Sequence, residues 1–433
     1  MSAEHDLDVV VVGAGPAGAC AATLLAQAGL RVGVFERERF PRFHIGESLL
    51  PSCVPVLAAM GIDLDAGGYL RKQGAEFYDE RTGEYAYFAF ADALPGLPHH
   101  AYQVDRASFD DALAAAALEA GASVEFGVTV LAHAIDDRGV ELQLVPTPEG
   151  LGPDEGHVRG GRSRGVPSRA AARTVRARYL VDASGRRGLT SRGGREHDRV
   201  PGLGKAASFL HFEGLGDAAW AELAPRGDVK VLRMPDGWIW AIPLADRRLS
   251  VGLVSRAGAP DDADVARELA GSPMLTRLTA GARRSSLRAI ADYSYVNRSP
   301  HGARFVAIGD AAGFLDPVFS SGVAIALSSA QRMAAQVVAA FVDDAMLASP
   351  TLMEPHRAAL AVAYRTFHCF AHRFYNGRLI DNLLLGEAPD ANMRAGLISI
   401  LAGDIWRDDN RFQRAVLSAT RHELPVMPWA DAR

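Results

Sequence analysis

The chain has 433 residues, a formal net charge of −5 and ordinary apolar content, which predicts two or three joined lobes rather than one small core. A nearly balanced charge argues against a nucleic-acid or polyanion binder. Three cysteines, Cys20, Cys53 and Cys369, without CxxC spacing, argue against a zinc site or disulfide scaffold and fit a reducing cytoplasm.

The N-terminus, MSAEHDLD, is acidic, and the apolar run after it is broken by Gly13, Gly15 and Pro16. It does not read as a secretory signal. No stretch reads as long and continuous enough to span a bilayer, so a cytosolic chain without a membrane anchor is expected. LDVVVV predicts a buried parallel strand. GAGPAG is a turn, ACAATLLAQAG a helix stopped at Gly29, and LRVGVFE a second strand. A loop leads to a short helix around 52–60. Residues 76–104 read as aromatic-rich β structure. SFDDALAAAALEAG, 108–121, predicts a helix capped at Ser108, followed by strands in SVEFGVTVLAHAI and GVELQLV. Residues 146–172, rich in Gly, Pro, Ser and Arg, read as a mobile surface loop. TVRARYLVDASG returns to a strand and turn. Residues 206–254 predict antiparallel sheet, 300–309 a buried strand, and VAIALSSAQRMAAQVVAAFV a long helix. The chain beyond about 350 is predicted helical.

Gly13-Ala14-Gly15-Pro16-Ala17-Gly18 sits between a strand and a helix, the context that makes GxGxxG informative. Its glycines permit a tight turn and close backbone approach, and the helix N-terminus offers N–H groups to a pyrophosphate. Glu36 ends the second strand at the spacing expected for a carboxylate that accepts from ribose hydroxyls. Farther on, GWIWAIP places Trp238 and Trp240 on one face of a strand, because side chains there alternate with period two. Pro243 closes the segment. Paired strand tryptophans are commonly core aromatics, so their role depends on context.

That context comes from three segments in order: GAGPAG, then YLVDASG at 179–185, then FVAIGD at 305–310 followed by Ala311-Ala312-Gly313. Together they resemble the FAD-binding fold of aromatic hydroxylases, geranylgeranyl reductases and flavin-dependent halogenases. In that fold the aspartate, here Asp310, holds the ribityl chain, and Arg106 matches a flavin-contacting arginine. GWIWAIP resembles the WxWxIP signature of the halogenases in particular. Phe314, Pro317, Ser320 and Gly322 resemble their FxxPxxSxG pattern. GESLLP at 46–51, with Ser48, resembles the loop beside the flavin, and Lys72 in YLRKQGAEF matches the region of the catalytic lysine.

The resemblance implies an α/β fold. A Rossmann-like FAD-binding domain, 1–75, 101–200 and 285–345, would interleave with an antiparallel-sheet substrate domain, 76–100 and 201–284, ahead of a helical C-terminal region, 346–433. It implies that Gly13, Ala14, Gly15, Ala17, Gly18, Glu36, Ser48, Arg106, Asp310, Pro317, Gly322 and Val323 hold FAD. Chloride or bromide would sit against backbone N–H groups of Ser321 and Gly322. Trp238, Trp240, Pro243, Phe319 and Ser320 would line the passage between flavin and substrate. Reduced FAD, O2 and halide would yield hypohalous acid, which Lys72 would relay to an electron-rich ring.

Tryptophan-type halogenases carry a glutamate where this chain has Phe319, so a phenol or pyrrole is expected, free or tethered to a carrier protein. Absence of a second dinucleotide fingerprint suits reduced flavin delivered by a separate reductase. No metal, nucleic acid or membrane is implied. The alternative is a single-component aromatic hydroxylase that oxidises NAD(P)H itself.

Overall fold

Three valines in succession, Val9–Val11, have no exposed surface, because the strand that carries them is covered on both faces. The computed structural model describes residues 5–148, 172–191, 195–204, 206–377, 391–407 and 409–419. The predicted loop at 146–172 falls mostly outside them. In chain order the first unit is β1 (Leu7–Val12), α1 (Pro16–Gln27), β2 (Val32–Glu36) and α2 (Cys53–Ala59). Four short strands follow: β3 (Leu70–Lys72), β4 (Gly74–Asp79), β5 (Glu84–Ala89) and β6 (Ala101–Gln103). Then come α3 (Arg106–Glu119), β7 (Ser123–Phe126), β8 (Val128–Asp136), β9 (Gly139–Pro146) and β10 (Arg173–Asp182).

α3 starts two residues before the expected Ser108. Its cap is Asp105, whose carboxylate accepts from the N–H groups of Ala107 (2.9 Å) and Ser108 (3.2 Å). An ionised acceptor suits the positive end of the helix better than a hydroxyl does.

The middle of the chain runs β11 (His197–Arg199), β12 (Ala206–Glu213), α4 (Asp217–Leu223), β13 (Val229–Met234), β14 (Gly237–Leu244) and β15 (Arg248–Ser255). α5 (Asp262–Gly271), α6 (Pro273–Leu278), β16 (Arg283–Arg284), β17 (Arg288–Ala291), β18 (Tyr295–Asn297), β19 (His301–Gly302), β20 (Phe305–Ala307) and β21 (Gly313–Phe314) lead to α7 (Ser321–Ala340). α8 (Asp344–Ala348), α9 (Glu354–Tyr375), α10 (Ala391–Leu401) and α11 (Arg411–Ala419) complete the helical tail.

The first sheet contains β20, β10, β1, β2 and β7 as parallel neighbours. The β8–β9 pair is added antiparallel to β10. Alternation along β1 divides its two faces. Val9 and Val11 join a core with α1 and α7, while Val10 and Val12 pack against residues of β8 and β9. The second sheet runs β16-β12-β15-β14-β13-β4-β5, with β17 also on β12. It is not wholly antiparallel: β13 pairs with β4 in parallel. Its outer face packs on α4, α5 and α6. Its inner face, carrying Trp238, Trp240 and Ile242, merges into the core that holds α1 and α7.

α7 is long and apolar enough, by length and composition, to cross a membrane, so the expectation that no stretch meets that test is corrected. Its apolar residues face inward instead. The helix packs against α1, α2 and α9 and is the central helix of the largest core.

Candidate active site

The GAGPAG glycines serve different ends. Gly13 lies at φ +100°, and a Cβ there would sit 2.3 Å from the Ala183 carbonyl oxygen. A Cβ at Gly18 would sit 1.9 Å from the Gly13 oxygen. Both are glycine because chain meets chain. Gly15 is open: its nearest neighbour would be Arg42 at 3.8 Å. Gly15 also caps α1 without any side-chain hydrogen bond. An open cradle ahead of uncapped helix N–H groups is what an approaching pyrophosphate needs, so the residues present fit the dinucleotide. Ala17 packs beneath Gly309. Glu36 is buried, and its two oxygens accept from the N–H groups of Ala14 (2.7 Å) and Glu38 (2.8 Å). This fixes the loop and leaves lone pairs for ribose hydroxyls.

Arg106 is buried and fully engaged. Its guanidinium pairs with Asp110 (2.8 and 2.9 Å) and donates to the carbonyls of Ile45 (2.7 Å) and Gly46 (3.3 Å). It therefore anchors the start of GESLLP. In that same loop Glu47 accepts from, or donates to, His211 at 2.7 Å according to protonation. Burial opposes charge on His211, yet Glu47 outweighs it and lifts the imidazole above its ordinary range.

Asp310 lies in a single turn of 3-10 helix after β20, and burial pushes its carboxyl up to about 6. A small cleft runs from Gly309 and Asp310 past Gly313 to Ser321 and Gly322. A side chain at Gly322 would meet Phe314 at 3.0 Å. Pro317–Phe319 form another turn, and Ser320, at φ +56°, passes the chain into α7. No side chain caps α7 and its first turn carries no acid. The backbone donors of Ser321, Gly322 and Val323 therefore open α7 with the positive end of its dipole uncompensated.

Every residue of β14 is buried. Trp238 and Trp240 share its inner face with ring centroids 5.8 Å apart. Trp240 lies across from Gly252, where a Cβ would fall 2.1 Å from the indole; its Nε1 donates to Ser250 (3.2 Å). Pro243 sits in register with Leu249. Trp238 Nε1 donates to Tyr375 Oη (3.0 Å), and Tyr375 donates to Asp316 (2.9 Å). Asp316 also accepts from Gly204 and Val318, while burial pushes it up to about 6. The turn before α7 is thus tied to the tryptophan face through one phenol. Replacing Tyr375 by Phe strands the Trp238 indole N–H and removes one of the donors to the Asp316 carboxyl. A loss of about 1–3 kcal/mol is expected, measurable by denaturant unfolding.

Lys72 ends β3 and is 2% exposed. Its Nζ donates to Ser48 Oγ (2.9 Å) and to the Leu49 carbonyl (3.2 Å), and lies 5.3 Å from the centre of the Phe90 ring. Ser48 thus touches the lysine directly. Burial pulls the amine down to about 8 against the opposing pull of Asp228. Phe90 begins a run of touching rings: Phe88, Phe77, Phe374, then Trp238. Phe319 packs on Phe374 and Phe370. The structure therefore joins the lysine, the tryptophans and the turn before α7 in one continuous aromatic array. Tyr375 packs on this array, His211 reaches it through Phe43 and Phe209, Asp316 bonds to Tyr375, and Asp228 accepts from the residues after Lys72; all four escaped the sequence reading. Only Asp316 had a signal, lying inside the FxxPxxSxG segment.

A family model described as tryptophan halogenase matches residues 8–99 and 95–381. The 1H-pyrrole-2-carbonyl-[peptidyl-carrier protein] chlorinase of Pseudomonas fluorescens is 29% identical, across 93% of this chain and 90% of that protein. Tryptophan 2-halogenase of Chondromyces crocatus is 32% identical, across 79% of this chain and 63% of that protein, so the chain spans less than two thirds of its length. A flavoprotein/dehydrogenase from Cytophaga hutchinsonii superposes with a TM-score of 0.79 at 26% identity, covering 96% of this chain and 98% of that one. The myxobacterial chondrochloren halogenase CndH does so at 0.71 and 27%, covering 97% and 96%. The Rossmann-type α/β fold and the FAD-plus-halide chemistry follow from these matches. The chain belongs to the flavin-dependent halogenase family and is an FAD-dependent enzyme.

Proposed function

We propose that this enzyme halogenates an electron-rich ring, a phenol or a pyrrole, with Lys72 delivering the halogen. The supporting observation is the buried Lys72 amine, held by Ser48 and Leu49 and linked through packed aromatics to the turn at Ser320–Gly322. FAD, reduced and with O2, supplies the oxidising power that converts halide and a proton to hypohalous acid, oxidised flavin and water. The Gly13–Gly18 loop, Glu36 and Asp310 bind the cofactor, with the Arg106-anchored loop and Pro317 beside it. The Ser321 and Gly322 N–H groups hold the halide, since convergent donors at a helix start favour a bare anion. Trp238, Trp240, Pro243, Phe319 and Ser320 keep the organic ring away from the flavin. Lys72 then holds hypohalous acid by hydrogen bond or as a haloamine. From hypohalous acid the ring takes halogen and its displaced proton leaves with the acid's oxygen as water; from the haloamine, whose formation has already released that water, the ring proton returns to the Lys72 nitrogen.

Phe319 offers no base, so an activated ring that needs little help losing its proton suits this site. The pyrrole carried on a peptidyl carrier protein, named for the Pseudomonas relative, makes a carrier-tethered ring a natural member of that class. We place FAD binding in 1–75, 101–200 and 285–345, the substrate sheet in 76–100 and 201–284, and a C-terminal region in 346–433, whose described part is largely helical. A separate reductase supplies the reduced flavin. The three cysteines, buried and in no disulfide, suit a reducing cytoplasm.

The test combines purified protein, FAD, a flavin reductase, NADH and bromide with a panel of phenols and pyrroles. Mass spectrometry should show the paired bromine isotope pattern, dependent on the reductase. Substrate-dependent NADH consumption without reductase, with one oxygen added to the ring, would sink the reading in favour of a hydroxylase.

A further inference from the structure

The backbone on either side of Lys72 is gripped by a segment more than 150 residues away. Asp228 is 2% exposed. Its Oδ1 accepts from the N–H groups of Gln73 (3.0 Å) and Gly74 (2.5 Å), the two residues that follow Lys72. The carbonyl of Arg226 also accepts from Gln73 (3.0 Å). Gly227, at φ +59°, approaches so closely that a Cβ would lie 2.0 Å from the Arg71 carbonyl oxygen. Gln103 Nε2 donates to the Gly227 carbonyl (2.8 Å). Arg71, Gln73 and Gly74 are therefore each fixed by residues 226–228.

An asparagine could accept the same two N–H groups through its own Oδ1. It could not supply the negative charge that pairs with Arg226 at 3.2 Å and acts electrostatically on Lys72, and a buried carboxylate is kept only when it is compensated. We propose that Asp228 is the positioning residue of Lys72, fixing the strand end that carries it and balancing its ammonium. This rests on the reading of Lys72 as the halogen-delivering amine. The groups facing Lys72 are the Ser48 hydroxyl, the Leu49 carbonyl and the Phe90 ring, together with the Cys53 thiol from α2 and Asp228. Behind Asp228 stand Arg226, 3.2 Å from its Oδ2, then Glu76, which pairs with both Arg226 and Lys230. Burial lifts the Asp228 carboxyl and lowers the Lys72 amine, and each charge partly restores the other.

The test is the pH profile of bromination of a free phenol by FAD-loaded enzyme with a flavin reductase. Asp228→Asn should move the limb near pH 8 to lower pH by about one unit, whichever protonation state of Lys72 acts. Asp228→Ala should also lower kcat about tenfold or more through lost positioning, with KM for the phenol and the visible FAD absorbance retained. A wild-type pH profile in Asp228→Asn, or a wild-type kcat in Asp228→Ala, overturns the proposal. If the alanine variant does not fold, the asparagine variant decides. Lys72→Ala separates the two layers. Wild-type bromination there means that the Lys72 reading has failed. A silent Lys72→Ala beside an Asp228→Asn that titrates like wild type means that only the Asp228 inference has failed.

Discussion

Lys72→Ala is expected to lose halogenation by about 10³-fold, the scale seen when a preorganised group at a developing charge is removed, while FAD remains bound. The lysine makes no hydrogen bond to the Gly13–Gly18 loop: its polar partners are Ser48 and Leu49 of the neighbouring GESLLP loop, and its apolar partner is Phe90. The amine is also costly where it stands, since burial drags it down to about 8 even against the opposing pull of Asp228. A buried amine displaced in this way is a functional-site candidate. Lys72→Met separates chemistry from packing, because it occupies much the same space without an amine and makes no demand for hydrogen bonds. Both variants should show wild-type flavin absorbance and no brominated product by mass spectrometry. Product from either at more than a tenth of the wild-type rate would remove the lysine from the transfer step.

The second large effect belongs to Gly15. Gly15→Val should lower FAD affinity at least about a hundredfold, equivalent to about 3 kcal/mol, without unfolding the chain. A Cβ there has only Arg42 within 4 Å, at 3.8 Å, so on the proposed cradle the valine would project into the space a pyrophosphate needs. Gly13 and Gly18 would behave differently. Cβ atoms at those positions collide with backbone oxygens of Ala183 and Gly13, so their substitution should damage the fold first. Flavin absorbance of the purified proteins, read beside their thermal unfolding, distinguishes the two outcomes. Strong flavin retention by folded Gly15→Val would contradict the assigned cradle.

Much of this was legible from local pattern. The unit from β1 to β2 follows from a run of valines, three glycines and an alanine-rich helix. The common face of Trp238 and Trp240 follows from strand alternation alone, and the two indoles share one core while Ile239 and Ala241 lie in another. Other features could not be read locally. Ser108 looked like a cap because it precedes the apolar run, but Asp105 begins the helix one turn earlier. The parallel pairing of β4 with β13 joins segments about 150 residues apart, and no periodicity carries that information. Nor does any motif announce Asp228 or Tyr375. Their importance comes from the atoms they meet, Gln73 and Gly74 for one, Trp238 and Asp316 for the other. Arg106 shows the converse: a motif position whose guanidinium is occupied by Asp110 and two carbonyls.

The bond from the Ala14 N–H to Glu36 has a kinetic consequence. Because the chain's own carboxylate already shapes the phosphate loop, that segment does not have to refold each time the nucleotide departs or returns. Ordering costs are the usual tax on exchange, and here the protein has settled them in advance. A nucleotide-binding enzyme gains from a berth ready on arrival.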